Sequence, residues 1–343
     1  MTSERREQGV VLLIVLFFTL LLAASIATFV KRATVDAILS RNRDAMARSE
    51  ALARGGVELA KALLIADRVS EASRPDAMRL DSGLDAWARS KNVEIPAAGG
   101  ARLRLWIEDA GGRLNLNALF SFRENAVLPD KTALFLNKFL EKMIEELPID
   151  VQALYDPREL AENLIDYVDL DEERTSVGPE DDYYQRQTPS YRAANRPLLS
   201  VAELGLVEGF DAALVEIIRP YVTVHPFAGG TGVNPNTAPA HVLALIFYND
   251  DGYLRLAKEE DVRRILDLRA DDRFLCPDAM GERCVPISDI FPNPDTIYPP
   301  ITYSSDTFTV RSEGVVGEVR RTVEAVIDRT TPTEPLLLSW KVR

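Results

Sequence analysis

The sequence predicts an α+β protein. One very long N-terminal helix packs on a small antiparallel sheet, and a large helical domain is inserted between the first strand of that sheet and the later ones. Three observations predict it. The run Val10 to Val30 has no charge and only Thr19, Ser25 and Thr28 as polar residues, and helix-favouring composition continues to about Leu64 with no proline before Pro75. Alternating apolar and polar residues mark strands around Leu103 to Ile107 and again after residue 307. Between them, from about 115 to 290, helical segments dominate.

The apolar run decides where the chain resides. A helix rises about 1.5 Å per residue, so roughly 20 such residues cross a hydrocarbon core of ~30 Å. Arg5 and Arg6 precede the run and Lys31 and Arg32 follow it. Three fates compete: a secretory signal cut near Ala23-Ala24-Ser25, an uncut anchor, or a cut after Gly9 that leaves Val10 as the mature N-terminus with the apolar helix intact.

Composition excludes several functions. At 343 residues the chain exceeds one typical domain. A net charge of −13 argues against a nucleic-acid binder, which needs clustered Lys and Arg. The two histidines, His225 and His241, leave little room for a catalytic base or a zinc site with Cys276 and Cys284. Those cysteines, eight positions apart, form a disulfide if the soluble part lies in an oxidising compartment; the alternative is a pair of buried thiols. No Gly-x-Ser-x-Gly, phosphate loop or histidine-based metal motif is present, so nothing signals an enzyme. Trp87, Trp106 and Trp340 read as packing residues.

Element by element, the long helix carries Val35, Ile38, Leu39, Met46, Leu52, Val57, Leu59, Leu63 and Leu64 at roughly helical spacing, with a bend permitted at Gly55-Gly56. A short helix is expected over Gly83 to Lys91 with Trp87 on its packed face, then a strand from Ala101 to Asp109 ending at Gly111-Gly112. Helices follow over Lys131 to Leu147, over Pro157 to Val168 capped by Asp156, over Ser200 to Val207 with Ser200 and Glu203 as a capping box, and over Asp211 to Tyr221. Two more are expected over Ala238 to Tyr248 and Glu259 to Arg269. Strands return at Phe308 to Ser312, Glu318 to Asp328 and Leu337 to Val342. Residues 112–118 echo residues 232–238 when aligned on Asn115-Leu116-Asn117 and Asn234-Pro235-Asn236, read as two similar helix entries. The paired short helices of Leu198 to Tyr221 resemble helix-hairpin-helix modules of the SAM-like kind.

The chain resembles the K component of type II secretion, a minor pseudopilin family. The resemblance is carried by Gly9-Val10 with the apolar run, Gly112 to Asn117, Leu164 to Asp169, Glu180 to Tyr184, Tyr191 to Pro197, Leu199 to Leu206 and Val233 to Ala238. It implies a pilin-like fold with a leader at 1–9, a membrane part at 10–30, the rest of the pilin helix and first strand at 31–110, an inserted helical domain at 111–290 and the closing strands at 291–343. It also implies cleavage after Gly9 by the prepilin peptidase, N-methylation of Val10, and an inner-membrane anchor with the soluble part in the periplasm. The implied role is to cap the pseudopilus tip together with minor pseudopilins I and J, starting a filament that exports folded proteins. Most pilin-like subunits carry Glu at the fifth mature position; here it is Ile14. The K component lacks that Glu, which fits a subunit with none above it.

One acidic loop has the look of a site. Asp169, Asp171, Glu173 and Glu180 stand at loop positions 1, 3, 5 and 12, as in an EF-hand, but Arg174 replaces the glycine of the sharp turn. Asp181 and Asp182 add two carboxylates. Either Ca²⁺ offsets their repulsion, as the resemblance implies, or the loop is solvated and paired with Arg174 and Arg186. Asp250-Asp251 and Asp271-Asp272 are weaker candidates. The alternative function is a membrane-anchored DNA binder whose hairpin is Val207 to Phe210.

Overall fold

The computed structural model describes residues 4–72, 79–91, 93–120, 122, 130–175, 179–227, 232–250, 253–278, 281–331 and 333–343; at 4–10, 130, 250, 253 and 254 it describes the backbone alone. Helix α1 runs unbroken over Glu4–Ala72, 69 residues or about 100 Å. Its polar hydroxyls in the apolar part stay satisfied: Thr19, Ser25 and Thr28 donate to the carbonyls of Leu16, Leu21 and Ala24. Residues 11–44 are exposed, and only the last third of the helix packs on the protein's own sheet.

That sheet has five antiparallel strands in chain order: β1 (Val93–Pro96), β2 (Arg102–Asp109), β3 (Thr307–Val316), β4 (Val319–Asp328) and β5 (Leu336–Val342). On β2, Leu103, Leu105 and Ile107 point to the core while Arg102, Arg104 and Trp106 point away, the alternation that the sequence predicts. β1 is an addition to the prediction. The helical domain leaves the sheet after Asp109 and returns before Phe308, and these two residues face each other across the β2–β3 ladder. The insertion thus opens and closes at one point of the sheet.

Helix and sheet approach closely because small residues face each other. Ala53, Val57, Ala60 and Leu64 are fully buried against Leu105, Phe308, Val310, Val323 and Ile327. Ser49 Oγ donates to the Gly314 carbonyl at 2.6 Å, and a Cβ on Gly314 would overlap the Ser49 carbonyl. A Cβ on Gly56 would overlap Ser312 Oγ and Leu103. Gly56 therefore permits contact rather than a bend, which corrects the sequence reading. The predicted stripe is corrected in part: Val57 and Leu64 are fully buried as expected, whereas Val35, Ile38, Leu39, Met46 and Leu59 are exposed, and Ala53 and Ala60 complete the seam.

The helical domain contains α2 (Asp130–Glu145), α3 (Pro157–Val168), α4 (Ala212–Ile218) and α5 (Glu259–Ala270) around one large apolar core. Asp156 caps α3 by accepting from the amides of Arg158 and Glu159, as expected. Three predicted helices are corrected. Residues 83–91 form turns and a 3₁₀ turn at Ala88–Ser90, although Trp87 is buried as expected. Val201–Leu206 is 3₁₀, and Ser200 caps nothing with its side chain; Glu203 instead accepts from Leu199 N and pairs with Arg196. Residues 238–248 hold one helical turn, Ala240–Leu243, and then a strand, Phe247–Asp250. Glu203 is drawn off by Arg196 and Leu199 N, and Phe247 by backbone pairing with Leu256 and Tyr298, so tertiary partners override local helix propensity at these two places.

The Asn-x-Asn echo is a structural repeat. Asn115 Oδ1 accepts from Asn117 N, and Asn234 Oδ1 accepts from Asn236 N, both at 3.0 Å. The second Asn then clamps a distant backbone by two bonds: Asn117 takes Leu198 N and gives to Leu198 O, while Asn236 takes Leu275 N and gives to Leu275 O. All four asparagines are buried. The first copy leads only into a 3₁₀ turn, Leu116–Leu119, so the pattern is for clamping and not for starting helices.

Arg329 joins the parts. It is fully buried and donates to Asp67 on α1 at 2.8 Å, to Asp81 in the following loop and to the Ser305 carbonyl, with its guanidinium 4.3 Å over the Phe308 ring. Asn234 of the helical domain donates to the Asp81 carbonyl and to Asp109. Arg68 repeats the pattern beside it, donating to Glu71 and the Ser305 carbonyl. Asp67, Asp81 and Asp85 sit close enough for a metal site, but the Arg329 guanidinium already supplies the positive charge to Asp67 and Asp81.

Arg329→Met leaves two buried carboxylates uncompensated, so chemical denaturation should show a loss of about 3–5 kcal/mol, and adding Asp81→Asn should recover part of it. Gly56→Val should also lower the melting temperature by several degrees, because the helix must lift from β2 and β3; Gly55→Val, whose Cβ meets open space, should leave it within about a degree of wild type.

Candidate metal centre

The acidic loop follows from the end of α3. Asp166 lies in the last turn of that helix and Asp169 is its C-cap, three residues on. The chain then turns through Asp171, whose Oδ1 accepts from Glu173 N, and comes back by an antiparallel bridge between Glu173 and Pro179. This places Glu180 beside the helix end, while residues 176–178 lie outside the described residues. A third segment closes the side: Asn195 Nδ2 donates to the Asp171 carbonyl at 2.8 Å, and Ala193 N donates to Asp181.

Four buried oxygens here have no hydrogen-bond donor: Asp166 Oδ2, Asp169 Oδ1, Glu180 Oε1 and Asn195 Oδ1. Buried acceptors are normally satisfied, so four orphans on neighbouring segments favour a cation, although their carboxylates do not converge as closely as those of Asp67, Asp81 and Asp85. Arg174 does not supply it. Its guanidinium turns to Glu208 at 2.7 Å and stays 4.0 Å from Asp166 Oδ2. Arg186 makes no ion pair with the cluster among the described residues. The electrostatics agree. Burial, then Asp171 and Asp166, push the Asp169 carboxyl up to about 7. Burial, then Asp169 and Asp166, push Glu180 up to about 8. An all-oxygen set rich in carboxylates suits a hard divalent ion such as Ca²⁺ better than zinc.

The structure thus brings Asp169, Asp171 and Glu180 together. Glu173 is exposed and contributes its backbone to the bridge; Asp181 is spent on Ala193 N and lies 3.6 Å from Arg192; Asp182 is exposed at the start of a single helical turn, Asp182–Gln185. Spacing alone missed Asp166 and Asn195. Both fall within stretches that carry the family resemblance, and Asn195 has the further mark of a positive φ of 43°. Asp251 of the weaker pair lies outside the described residues, and Asp272 is an exposed turn residue at positive φ. Cys276 and Cys284 form a disulfide with Cα atoms 5.9 Å apart, closing a small parallel strand pair.

A long, externally apolar helix on an antiparallel sheet, with a helical insertion, has the architecture of a pilin-like subunit whose N-terminal helix is long and apolar enough to anchor it in a membrane. Residues 112–227 match the family model of type II secretion system protein K. A protein of that name from Pseudomonas aeruginosa is 29% identical, covering 95% of this chain and 90% of its own; one from Aeromonas hydrophila is 26% identical with 98% of each chain covered. A chain of the GspK-GspI-GspJ complex of enterotoxigenic Escherichia coli shares the fold, with a TM-score of 0.63, 20% identity and coverage of 89% of this chain and 99% of that one. Over nearly its full length the chain is thus similar to type II secretion system protein K, and this likeness supports reading it as a structural subunit of the minor-pseudopilin kind. The DNA-binding alternative falls with this. In its supposed hairpin the Glu208 side chain pairs with Arg174 and the Glu208 carbonyl accepts from Asn163, so the turn is tied into the domain.

Both raised carboxyls bind protons more readily folded than unfolded. Without metal, their contribution should be most favourable below about pH 4 and should be lost as pH rises towards 7–8. Thermal melts in chelator should show that fall, and Asp169→Asn with Glu180→Gln should flatten it.

Proposed function

We propose that this protein caps the tip of the type II secretion pseudopilus, in complex with minor pseudopilins I and J, and starts the filament that moves folded proteins across the outer membrane. The observation that carries this reading is Ile14. An exposed apolar residue stands where a pilin helix ordinarily offers a carboxylate to the amino terminus of a neighbour, so the helix can be added below but not above. The helical domain supports the same reading, since it adds bulk at one place on the sheet. The relative in the GspK-GspI-GspJ complex gives the partners by analogy. The anchor sits in the inner membrane and the sheet and helical domain lie in the periplasm. The prepilin peptidase cuts after Gly9 and the new Val10 amine is methylated.

Ca²⁺ binds at Asp166, Asp169, Asp171, Glu180 and Asn195, and ties the end of α3 to the two segments that follow it. Its role is structural: it neutralises the clustered carboxylates and holds the loop.

Three measurements test the proposal. Mass spectrometry should find a mature chain beginning at methylated Val10, and Gly9→Val should accumulate uncut precursor where the peptidase is active. Co-expression with the I and J components should yield a complex of the three. Ca²⁺ should raise the melting temperature, and its affinity should rise by at least about tenfold between pH 6 and 8 as two carboxyls give up protons; Asp169→Asn should remove the effect.

A further inference from the structure

The cleft between the sheet and the helical domain has a feature that secretion assembly does not use. A cavity of about 420 Å³ lies there, with Trp87 and Ile107 on the sheet side and Pro220 and Pro239 on the helical side. A second, of about 340 Å³, adjoins it and shares Gly83, Asn236 and Arg269. Arg269, in the last turn of α5, thus stands between the two.

Arg269 is unusual in a chain of net charge −13. Its one hydrogen bond is to the Ala238 carbonyl at 2.6 Å, and no carboxylate pairs with it among the described residues. Asp272 lines the second cavity without pairing with it. Burial lowers its pKa and no neighbouring anion opposes that. In the first cavity the other cations are taken: Arg113 pairs with Glu108 at 3.0 Å and Lys91 approaches the same carboxylate at 3.7 Å; Arg273, at the second cavity, is exposed to solvent and can be hydrated there. Asp109 is turned inward to Asn234 and Thr237. A half-buried guanidinium with free donors is costly unless an anion meets it.

We propose that this cleft binds a peptide carboxylate flanked by an apolar side chain, the carboxylate on Arg269 and the side chain against Trp87 and the two prolines. Arg269 is the half-buried one of the unpaired cations here, so one negative charge meets it where water serves it least, and the apolar wall favours a peptide over inorganic phosphate. The cavity is of the size that takes a residue or two.

The test uses the full-length processed protein in detergent. N-acetyl-alanyl-leucine carries the carboxylate at a chain end, and N-acetyl-leucyl-glutamate amide carries it on a side chain. The amide of the first compound and inorganic phosphate complete the set, with binding followed by calorimetry and tryptophan fluorescence. One or both acids should bind at least about tenfold more tightly than the amide, and which one binds identifies the source of the carboxylate. Arg269→Gln should abolish that preference. Gly83→Trp should block the cleft without touching Arg269, because a side chain at Gly83 meets open space; this variant decides the matter where Arg269→Gln fails to fold. The proposal is overturned by equal binding of acid and amide, by phosphate binding in preference to both acids, by no binding at millimolar concentration, or by either well-folded variant binding as wild type does.

Discussion

The structure depends on one buried guanidinium. Arg329, at the end of β4, holds Asp67 of the helix and Asp81 of the loop after it, and through Asp81 it reaches Asn234 of the helical domain. A charge removed from water this completely is stable only when every partner is in place. Helix, sheet and insertion therefore cannot shift independently at this point. Residues 11–44 of the helix find no cover within their own chain, so this node is where the exposed rod is joined to the folded head.

The close seam above this node has a different origin. Gly56, Gly314, Ala53 and Ser49 remove bulk so that backbone meets backbone, and Ser49 uses the proximity to bond the Gly314 carbonyl. Val57 and Leu64 are buried beside these small residues, whereas the larger apolar residues nearer the N-terminus, such as Ile38 and Leu39, face outward. The helix thus divides its surface along its length as well as around it.

The acidic loop is held from both sides by backbone. The Glu173–Pro179 bridge returns the chain, and Asn195 closes the third side by bonding the Asp171 carbonyl. The loop thereby buries carboxyl groups and sets them near one another, and burial first, then the neighbouring carboxylates, raise Asp169 to about 7 and Glu180 to about 8. The disulfide and the Asn236 clamp on Leu275 anchor the far end of the domain in a similar way, by fixing short segments to the frame.

The sequence by itself determined the apolar helix, the alternating strands, the point of insertion, the Asp156 cap and half of the acidic site, because each is written in local period or local chemistry. Val10 to Val30 is legible in any context, and so is Leu103-Arg104-Leu105. Only the tertiary structure decided which helical face meets the sheet, since that rests on Gly56 meeting Ser312 and not on hydrophobicity. It alone brought Asp166 and Asn195 to Asp169 and Glu180, and it alone turned residues 238–248 from one helix into a turn and a strand. Apart from Asp166, which stands one helical turn before Asp169, those outcomes depend on partners farther along the chain, and no local pattern records a partner's position.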